Sequence, residues 1–151
     1  MEKETKITPS HIAITMDGCE EWAFERNLPK IEGYAKGFSK LKTTPAWFFE
    51  KGVSVLSVFA FSAEYWNKDQ KEVNYLMKLI KKFLKDDLEV LQHNGFQVLL
   101  SGKLDELPGD LPEICHLAVN ATKDNKKGIL NICLNYSGRA EIVDAVKTDK
   151  K

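Results

Sequence analysis

The sequence predicts an α/β fold in which a mainly parallel β-sheet is flanked by helices. Four short runs rich in valine, isoleucine, leucine and phenylalanine have the composition of buried strands. The starts of these runs are separated by 41, 43 and 33 residues, which leaves room for a crossover helix between successive strands. A chain of 151 residues can bury a substantial core, and we expect a single domain over residues 1–151.

The four strands and the helical segment before the second strand are predicted from residue composition. Residues 36–51 are predicted to be helical, with an interruption at Pro45, because proline lacks the amide donor that a helix interior needs. Each apolar run is bounded by glycine, proline or charged residues, as is typical of strands between loops. The predicted strands cover residues 12–16, 53–61, 96–101 and 129–134.

The clearest helical pattern spans residues 69–94. Apolar residues recur there at three- and four-residue spacing, and Gly95 follows as a C-terminal cap. The pair Asp86-Asp87 is assigned to the solvent-exposed face of this helix. We therefore expect one long helix between the second and third strands.

Two more helices are predicted after the third and fourth strands. The first runs from Leu111 to about Lys123, with Asp110 as its cap and Glu113 completing a capping box. The second begins near Arg139. These helices complete the alternation of strand and helix expected for a parallel sheet.

Net charge and composition argue against nucleic-acid binding, strong membrane-surface binding and export. The 22 basic residues equal the 22 acidic residues, whereas electrostatic binding of nucleic acid or a membrane surface requires a basic excess. We expect no nucleic-acid partner and at most peripheral membrane contact. The N-terminal residues lack the apolar core of a signal peptide, and the three cysteines are widely spaced and odd in number. A cytoplasmic location is expected.

Polar segments follow the predicted strands, at the edge where parallel sheets bind their ligands. Asp17-Gly18 follows the first strand and residues 62–68 follow the second. A carboxylate at a strand end can hold a hard cation, and the amides that open the next helix can receive an anion. The pattern indicates a metal-assisted phosphate or diphosphate site.

A purely structural interpretation of the same residues stays open. Asp17 with Glu20, and Asn67 with Gln70, have the spacing of capping boxes and could simply begin helices. No glycine-rich nucleotide-binding motif is present, so nucleotide binding has little support. Spacing alone does not decide between capping and ligand binding.

Three segments resemble the cis-prenyltransferase family, whose best-known members are the undecaprenyl diphosphate synthases. The segments are residues 11–23, residues 59–73 and residues 130–139. The resemblance implies an undecaprenyl-diphosphate-synthase-like fold and a Mg²⁺-dependent isoprenyl transferase. Such an enzyme condenses isopentenyl diphosphate onto an allylic diphosphate, such as farnesyl diphosphate, and makes a polyprenyl diphosphate with cis double bonds. The family is typically homodimeric.

The resemblance also implies roles for individual positions. Asp17 matches the family's essential carboxylate, which is expected beside Mg²⁺ and the diphosphate as catalytic residue and metal ligand. Phe38, Leu41 and residues 73–91 would either line a tunnel for the apolar chain or form ordinary core. The positions that match substrate-contacting residues are Gly18, Trp22, Ser62, Glu64, Trp66 and Lys68.

The segment after Asp17 departs from the family's pattern. Where the family usually reads Asp-Gly-Asn-Gly-Arg-Trp, this chain has Asp-Gly-Cys-Glu-Glu-Trp over residues 17–22. Glu21 replaces a diphosphate-binding arginine, and Glu20 replaces a glycine. At about 5 Å and an effective dielectric constant of about 20, each carboxylate should repel one phosphate charge by roughly 3 kcal/mol.

Other departures concern the proton-handling and phosphate-contacting positions. Tyr65 stands where the family has a catalytic asparagine, and Lys68 replaces an arginine. Lys30 and Tyr34 stand where a phosphate-contacting arginine and histidine are usual. Family members also continue past this point, so we expect a C-terminally truncated, partial domain with uncovered apolar surface. Three functions stay open: an active isoprenyl transferase, an impaired or inactive relative serving as a partner subunit or remnant, and, as the weakest, an unrelated α/β phosphate-binding module.

Overall fold

A four-stranded parallel sheet forms the centre of the protein in the computed structural model, which describes residues 7–148. The strand order is β1-β2-β4-β3, so β1 and β3 are the edges. All three pairings are parallel, which confirms the predicted sheet. The strands are β1 His11–Thr15, β2 Val55–Ser62, β3 Phe96–Ser101 and β4 Gly128–Tyr136.

Seven α-helices connect and follow these strands within residues 7–148. Two short 3₁₀ helices, Ala63–Asn67 and Leu104–Glu106, follow β2 and β3. Each helix in this range is too short or too polar to span a lipid bilayer. The α-helices are α1 Cys19–Phe24, α2 Lys30–Lys40, α3 Thr44–Glu50, α4 Gln70–Lys85, α5 Leu88–His93, α6 Leu111–Thr122 and α7 Gly138–Thr148.

The helices before β2 differ from the single interrupted helix that we predicted. The chain breaks after α2, and Pro45 lies in the first turn of α3. Proline is tolerated there because the first amides of a helix have no partner within the helix. The predicted interruption is real, but Pro45 begins a helix and does not lie inside one.

The predicted single helix over residues 69–94 is wrong, because the chain breaks between α4 and α5 at Asp86 and Asp87. The amides of both aspartates bond to the carbonyl of Lys82, which ends α4. Asp87 does not lie on a free face as predicted, since Lys42 Nζ lies 2.6 Å from Asp87 Oδ1. This contact comes from the segment between α2 and α3 and is invisible to local periodicity.

Asp110 is the cap position of α6 as predicted but makes no side-chain cap bond, and the two capping boxes left open as alternatives do not form. Asp110 does precede α6, but its carboxylate accepts hydrogen bonds from Lys81 and not from an amide of α6. The cap of α4 is Asp69, whose carboxylate accepts from the amide of Lys71, so Asn67 does not begin that helix. The cap position of α1 is Gly18, so Asp17 and Glu20 do not form a box there.

The core lies between the sheet and the helices α2 to α6. Alternate residues of the central strands, such as Leu56 and Leu130, are fully buried. Phe38 of α2 packs edge-to-face against Phe83 of α4, with 6.2 Å between the ring centroids. The residues proposed to line a tunnel belong to this core, and Leu41 among them also lines a cavity between β1, α1 and α2, so both interpretations above stay open.

The last helix leaves apolar side chains exposed to solvent. Ile142, Val143 and Val146 of α7 are each at least half exposed, and no residue of α7 is buried. Uncovered apolar surface was expected from the resemblance. The helix α7 follows β4, which ends at the same edge of the sheet as the candidate site.

Candidate functional site

Asp17 lies directly after β1 and is exposed at the carboxyl end of the sheet. Its carboxylate accepts hydrogen bonds from the hydroxyl groups of Thr15 and Tyr65, each at 2.7 Å. These two bonds, that of Thr15 first, lower the pKa of Asp17 below its usual value. The structure therefore presents an ionised, oriented carboxylate and not a helix cap.

Tyr65 connects the ends of β1 and β2. It lies on the 3₁₀ helix after β2, where its ring packs edge-to-face on Phe61 with 5.5 Å between centroids. Burial and the bond to Asp17 raise the pKa of the Tyr65 hydroxyl, which keeps its proton at neutral pH. Tyr65 thus acts as a hydrogen-bond donor to Asp17 and is not available as a base.

A magnesium ion fits Asp17 only together with other oxygen ligands. Mg²⁺ commonly takes one or two carboxylates, keeps several waters and binds substrate phosphates. Across residues 7–148, no group of three or more histidine, cysteine, aspartate or glutamate side chains is arranged to hold a metal ion. The donor set suits a metal that arrives with a diphosphate, and does not suit a preformed metal centre.

Glu72 is a buried carboxylate at the start of α4, surrounded by donors. It accepts hydrogen bonds from Lys30 and Tyr34 of α2, and Lys68 Nζ lies 3.2 Å away. Burial raises the pKa of Glu72, but these three donors outweigh it and leave the pKa below its usual value. Lys30 and Tyr34, predicted to contact phosphate, here bind a carboxylate of the chain itself.

Glu20 of α1 supplies a second carboxylate to the same cluster. Its Oε1 atom accepts a hydrogen bond from Lys68 Nζ at 2.6 Å and lies 2.5 Å from the hydroxyl oxygen of Tyr34, whose single proton Glu20 shares with Glu72. The bond from Lys68 is the main cause of a lowered pKa for Glu20. We call Glu20, Lys30, Tyr34, Lys68 and Glu72 the Glu72 cluster; its two ammonium groups balance its two carboxylates.

This pairing corrects the expected repulsion of phosphate by Glu20. The carboxylate of Glu20 is not an isolated charge, because Lys68 neutralises it. An incoming anion would instead have to displace Glu20 from the ammonium group of Lys68. Glu21 is exposed and has no hydrogen-bond or ion-pair partner among the described residues, so the expected repulsion remains a prediction for Glu21.

The loop after β2 places its other predicted residues in different surroundings. Ser62 accepts a hydrogen bond from the amide of Glu64 and so caps the 3₁₀ helix. The indole of Trp66 donates to Asn135 Oδ1 at 2.8 Å. Trp66 lines a cavity of about 490 Å³ beside β4 and α7.

Gly18 and Trp22 line a separate cavity of about 320 Å³ between β1, α1 and α2. Lys36 and Lys40 of α2 also line it, and Arg26 lies over the Trp22 ring at 4.6 Å from its centroid. The structure therefore brings Asp17, Tyr65 and Lys68 together. Gly18 and Trp22 line one cavity and Trp66 lines another.

Thr15, Glu72 and Asn135 are residues that sequence reasoning did not assign to the site. Glu72 could have been found, because it lies four residues before Leu76 on the apolar stripe of α4. A charged residue on such a stripe must be paired. Thr15 and Asn135 carry no comparable signal in their local sequence.

The fold and the site define an α/β protein with an ionised carboxylate and paired lysines at the carboxyl end of a parallel sheet. Comparison with protein-family models identifies the family. Residues 15–150 match the model described as "Putative undecaprenyl diphosphate synthase". The chain belongs to this prenyltransferase family, as the sequence resemblance predicted.

Curated relatives and solved structures agree with this assignment. The isoprenyl transferase of Bacillus subtilis is 43% identical over 140 residues, covering 93% of this chain and 54% of the relative. A chloroplastic dehydrodolichyl diphosphate synthase of Solanum lycopersicum is 39% identical over 147 residues, covering 97% and 47%. The lavandulyl diphosphate synthase of Lavandula x intermedia, solved with dimethylallyl diphosphate, superposes with a TM-score of 0.88 at 29% identity, covering 95% and 61%. The chain spans about half the length of the curated relatives it matches.

Proposed function

We propose that this chain is an isoprenyl transferase that condenses isopentenyl diphosphate onto an allylic diphosphate in a Mg²⁺-dependent, cis-selective reaction. The names of its relatives support prenyl transfer as the reaction class. The observation that carries the proposal is the exposed, ionised carboxylate of Asp17 at the end of β1. It lies in the segment that matches the family.

Asp17 would hold the metal, and its neighbours would position it. Bound Mg²⁺ supplies Lewis-acid stabilisation of the negative charge that develops on a departing diphosphate. Thr15 and Tyr65 fix the orientation of the carboxylate and keep it ionised. The ammonium group of Lys68 lies over the ring of Tyr65, 4.7 Å from its centroid, and the hydroxyl of the same tyrosine bonds to Asp17. This ammonium group is suited to bind a diphosphate oxygen.

The remaining predicted residues have supporting roles in this proposal. Gly18 leaves room beside Asp17, since nothing lies within 4 Å of the position that a Cβ would take. Trp22 borders the cavity of about 320 Å³, which is suited to part of an apolar chain. A cytoplasmic location remains a prediction from the sequence.

An impaired or inactive prenyltransferase-like protein, acting as a partner subunit, is the second candidate. One specific observation favours it. The two lysines of the Glu72 cluster, Lys30 and Lys68, are already neutralised by carboxylates of the chain. A diphosphate would find fewer free cations than a site built to bind it would offer.

The test is incubation of the full chain with farnesyl diphosphate, labelled isopentenyl diphosphate and Mg²⁺, followed by butanol extraction. Extractable product from the native chain but not from Asp17→Asn supports the enzyme. Farnesyl diphosphate binding without product supports the impaired relative. Absence of both binding and product contradicts both candidates.

A further inference from the structure

Glu20 and Lys68 form the contact that decides whether an anion can reach the candidate site. Lys68 Nζ lies 2.6 Å from Glu20 Oε1 and 3.2 Å from Glu72 Oε1. We propose that Glu20 is an internal competitor for the diphosphate, which reaches Lys68 only after the carboxylate of Glu20 has moved away. This inference rests on the proposed diphosphate-binding function and adds a specificity-determining residue to it.

The two carboxylates around Lys68 differ in their freedom to leave. The side chain of Glu72 is only 3% exposed and is held by Lys30 as well as Lys68, whereas Glu20 pairs with Lys68 alone; the hydroxyl of Tyr34 lies within hydrogen-bond distance of both carboxylates. The side chain of Glu20 is 36% exposed and lies on α1, a helix of six residues. Water can solvate a departing Glu20 carboxylate, whereas a Glu72 carboxylate released from its donors would remain buried. Glu72 is therefore the fixed partner and Glu20 the exchangeable one.

The departure of Glu20 changes the net charge of the Glu72 cluster. With Glu20 in place, the two lysines and two glutamates of the Glu72 cluster sum to zero. When Glu20 leaves, the cluster keeps one uncompensated positive charge. That charge lies over the ring of Tyr65, whose hydroxyl bonds to Asp17. A diphosphate placed there meets a free ammonium group and the metal-binding carboxylate on the same side of the sheet.

The alternative is that Glu20 merely fastens α1 to the loop after β2. Glu20→Gln separates the two roles, because the amide keeps the size of the side chain and one accepting oxygen but loses the charge. Glu32→Gln is the matched control. Glu32 is exposed on α2, its side chain has no hydrogen-bond or ion-pair partner among residues 7–148, and its substitution changes the net charge equally.

The experiment measures the binding of inorganic pyrophosphate to the full chain by calorimetry, without Mg²⁺ and at about 0.15 M ionic strength, where exposed charges are screened. We expect Glu20→Gln to bind pyrophosphate at least tenfold more tightly than the parent, and Glu32→Gln to bind it within threefold of the parent. Adding Lys68→Met to Glu20→Gln should remove the gain.

Equal effects of Glu20→Gln and Glu32→Gln would overturn the proposal, as would no gain in Glu20→Gln or a gain that survives Lys68→Met. Glu20→Ala provides a second variant with the same expected direction should the glutamine variant fold poorly. Because Mg²⁺ is absent, the result does not depend on metal binding by Asp17. A failed exchange is therefore distinguishable from a failed metal-dependent function, which Asp17→Asn reports in the presence of Mg²⁺.

Discussion

Glu72 is a charged side chain on the apolar stripe of α4, and its surroundings follow from that position. It is next to Val73 and four residues before Leu76, both of which are buried. A carboxylate carried into the interior by its helix needs donors. Lys30, reaching from α2, is one of those that the fold provides.

Removal of the Glu72 carboxylate should destabilise the fold. Glu72→Ala removes the shared acceptor of Lys30, Lys68 and the buried Tyr34 hydroxyl; because Lys30 is half exposed and Lys68 keeps Glu20, we expect a loss of about 1–3 kcal/mol. The free energy of unfolding from urea titration measures the loss. Glu32→Ala, at an exposed position, should change it by less than about 0.5 kcal/mol. Equal values for the two variants would show that the cluster contributes nothing.

The same carboxylate makes stability depend on pH. Because the pKa of Glu72 is lower in the folded chain than in the unfolded one, its contribution is fully present above the unfolded pKa of about 4.3. The contribution is lost as pH falls from there through the folded pKa. We expect Glu72→Gln to lose less stability than the parent on acidification below about pH 4.3. Parallel acid profiles from urea titrations would contradict this origin.

Two hydroxyl donors keep Asp17 ionised, and their removal should be measurable. Thr15→Val and Tyr65→Phe each remove one hydrogen bond to the carboxylate and should raise the pKa of Asp17. The rise should be larger for Thr15→Val, because Thr15 is the main cause of the lowered value. Carbon-detected NMR titration of the Asp17 carboxyl reports both shifts. An unchanged pKa in both variants would show that the bonds are not formed in solution.

At the scale of elements, the packing of α1 on α2 positions Glu20. A Cβ on Gly33 of α2 would overlap the backbone carbonyl of Cys19 in α1. The absence of a side chain at Gly33 therefore allows the two helices to approach closely. This approach brings Glu20 within reach of Tyr34, the residue that follows Gly33.

Gly33→Ala should separate α1 from α2 and lower stability by about 1–3 kcal/mol, as overpacking does elsewhere. Gly37→Ala is the matched control on the same helix. Its Cβ would meet only the ends of two flexible side chains, Cys19 Sγ at 2.6 Å and Met16 Cε at 2.8 Å. We expect its stability to stay within about 1 kcal/mol of the parent, since alanine also favours the helix. Thermal or urea unfolding distinguishes the two, and equal losses would argue against the close backbone approach.

Periodicity and composition predicted most of the strands and helices. They failed where contacts with residues distant in sequence determine where a helix ends. The four strands, their parallel pairing and the helix from Leu111 were predictable, because the apolar pattern itself determines which face is buried. The break at Asp87 was not, because its partner Lys42 lies 45 residues away. The six-residue helix α1 is too short to show a period and was considered only as a capping alternative.

For the molecule as a whole, the two faces of the sheet differ. On the face opposite the core, side chains are partly exposed and form a polar ladder across all four strands. Ser57 Oγ hydrogen-bonds with His11 Nε2 at 2.8 Å, and Asn131 Nδ2 donates to the same hydroxyl at 3.2 Å. Ser101 donates to Asn131 Oδ1 at 3.0 Å. These residues alternate with buried aliphatic ones, so the sheet is less fully enclosed than the sequence suggested.

For the site as a whole, the position of Asp17 was predictable from the sequence, whereas the pairing of its charged neighbours was not. The position of Asp17 follows from its place after the first strand and from the family resemblance. The pairing of Lys68 with Glu20 joins residues 48 positions apart and depends on how α1 lies against the loop after β2. Local sequence shows that the charges are present. Only the assembled fold shows that they neutralise one another.

The central claim is that the carboxylate of Asp17 binds a metal together with a prenyl diphosphate. Calorimetric titration of farnesyl diphosphate into the full chain, with and without Mg²⁺, tests it most directly when repeated with Asp17→Asn. We predict that Mg²⁺ tightens binding to the parent by about tenfold or more, or about 1.4 kcal/mol, and that Asp17→Asn loses this dependence. Mg²⁺-dependent binding that persists undiminished in Asp17→Asn would contradict the account.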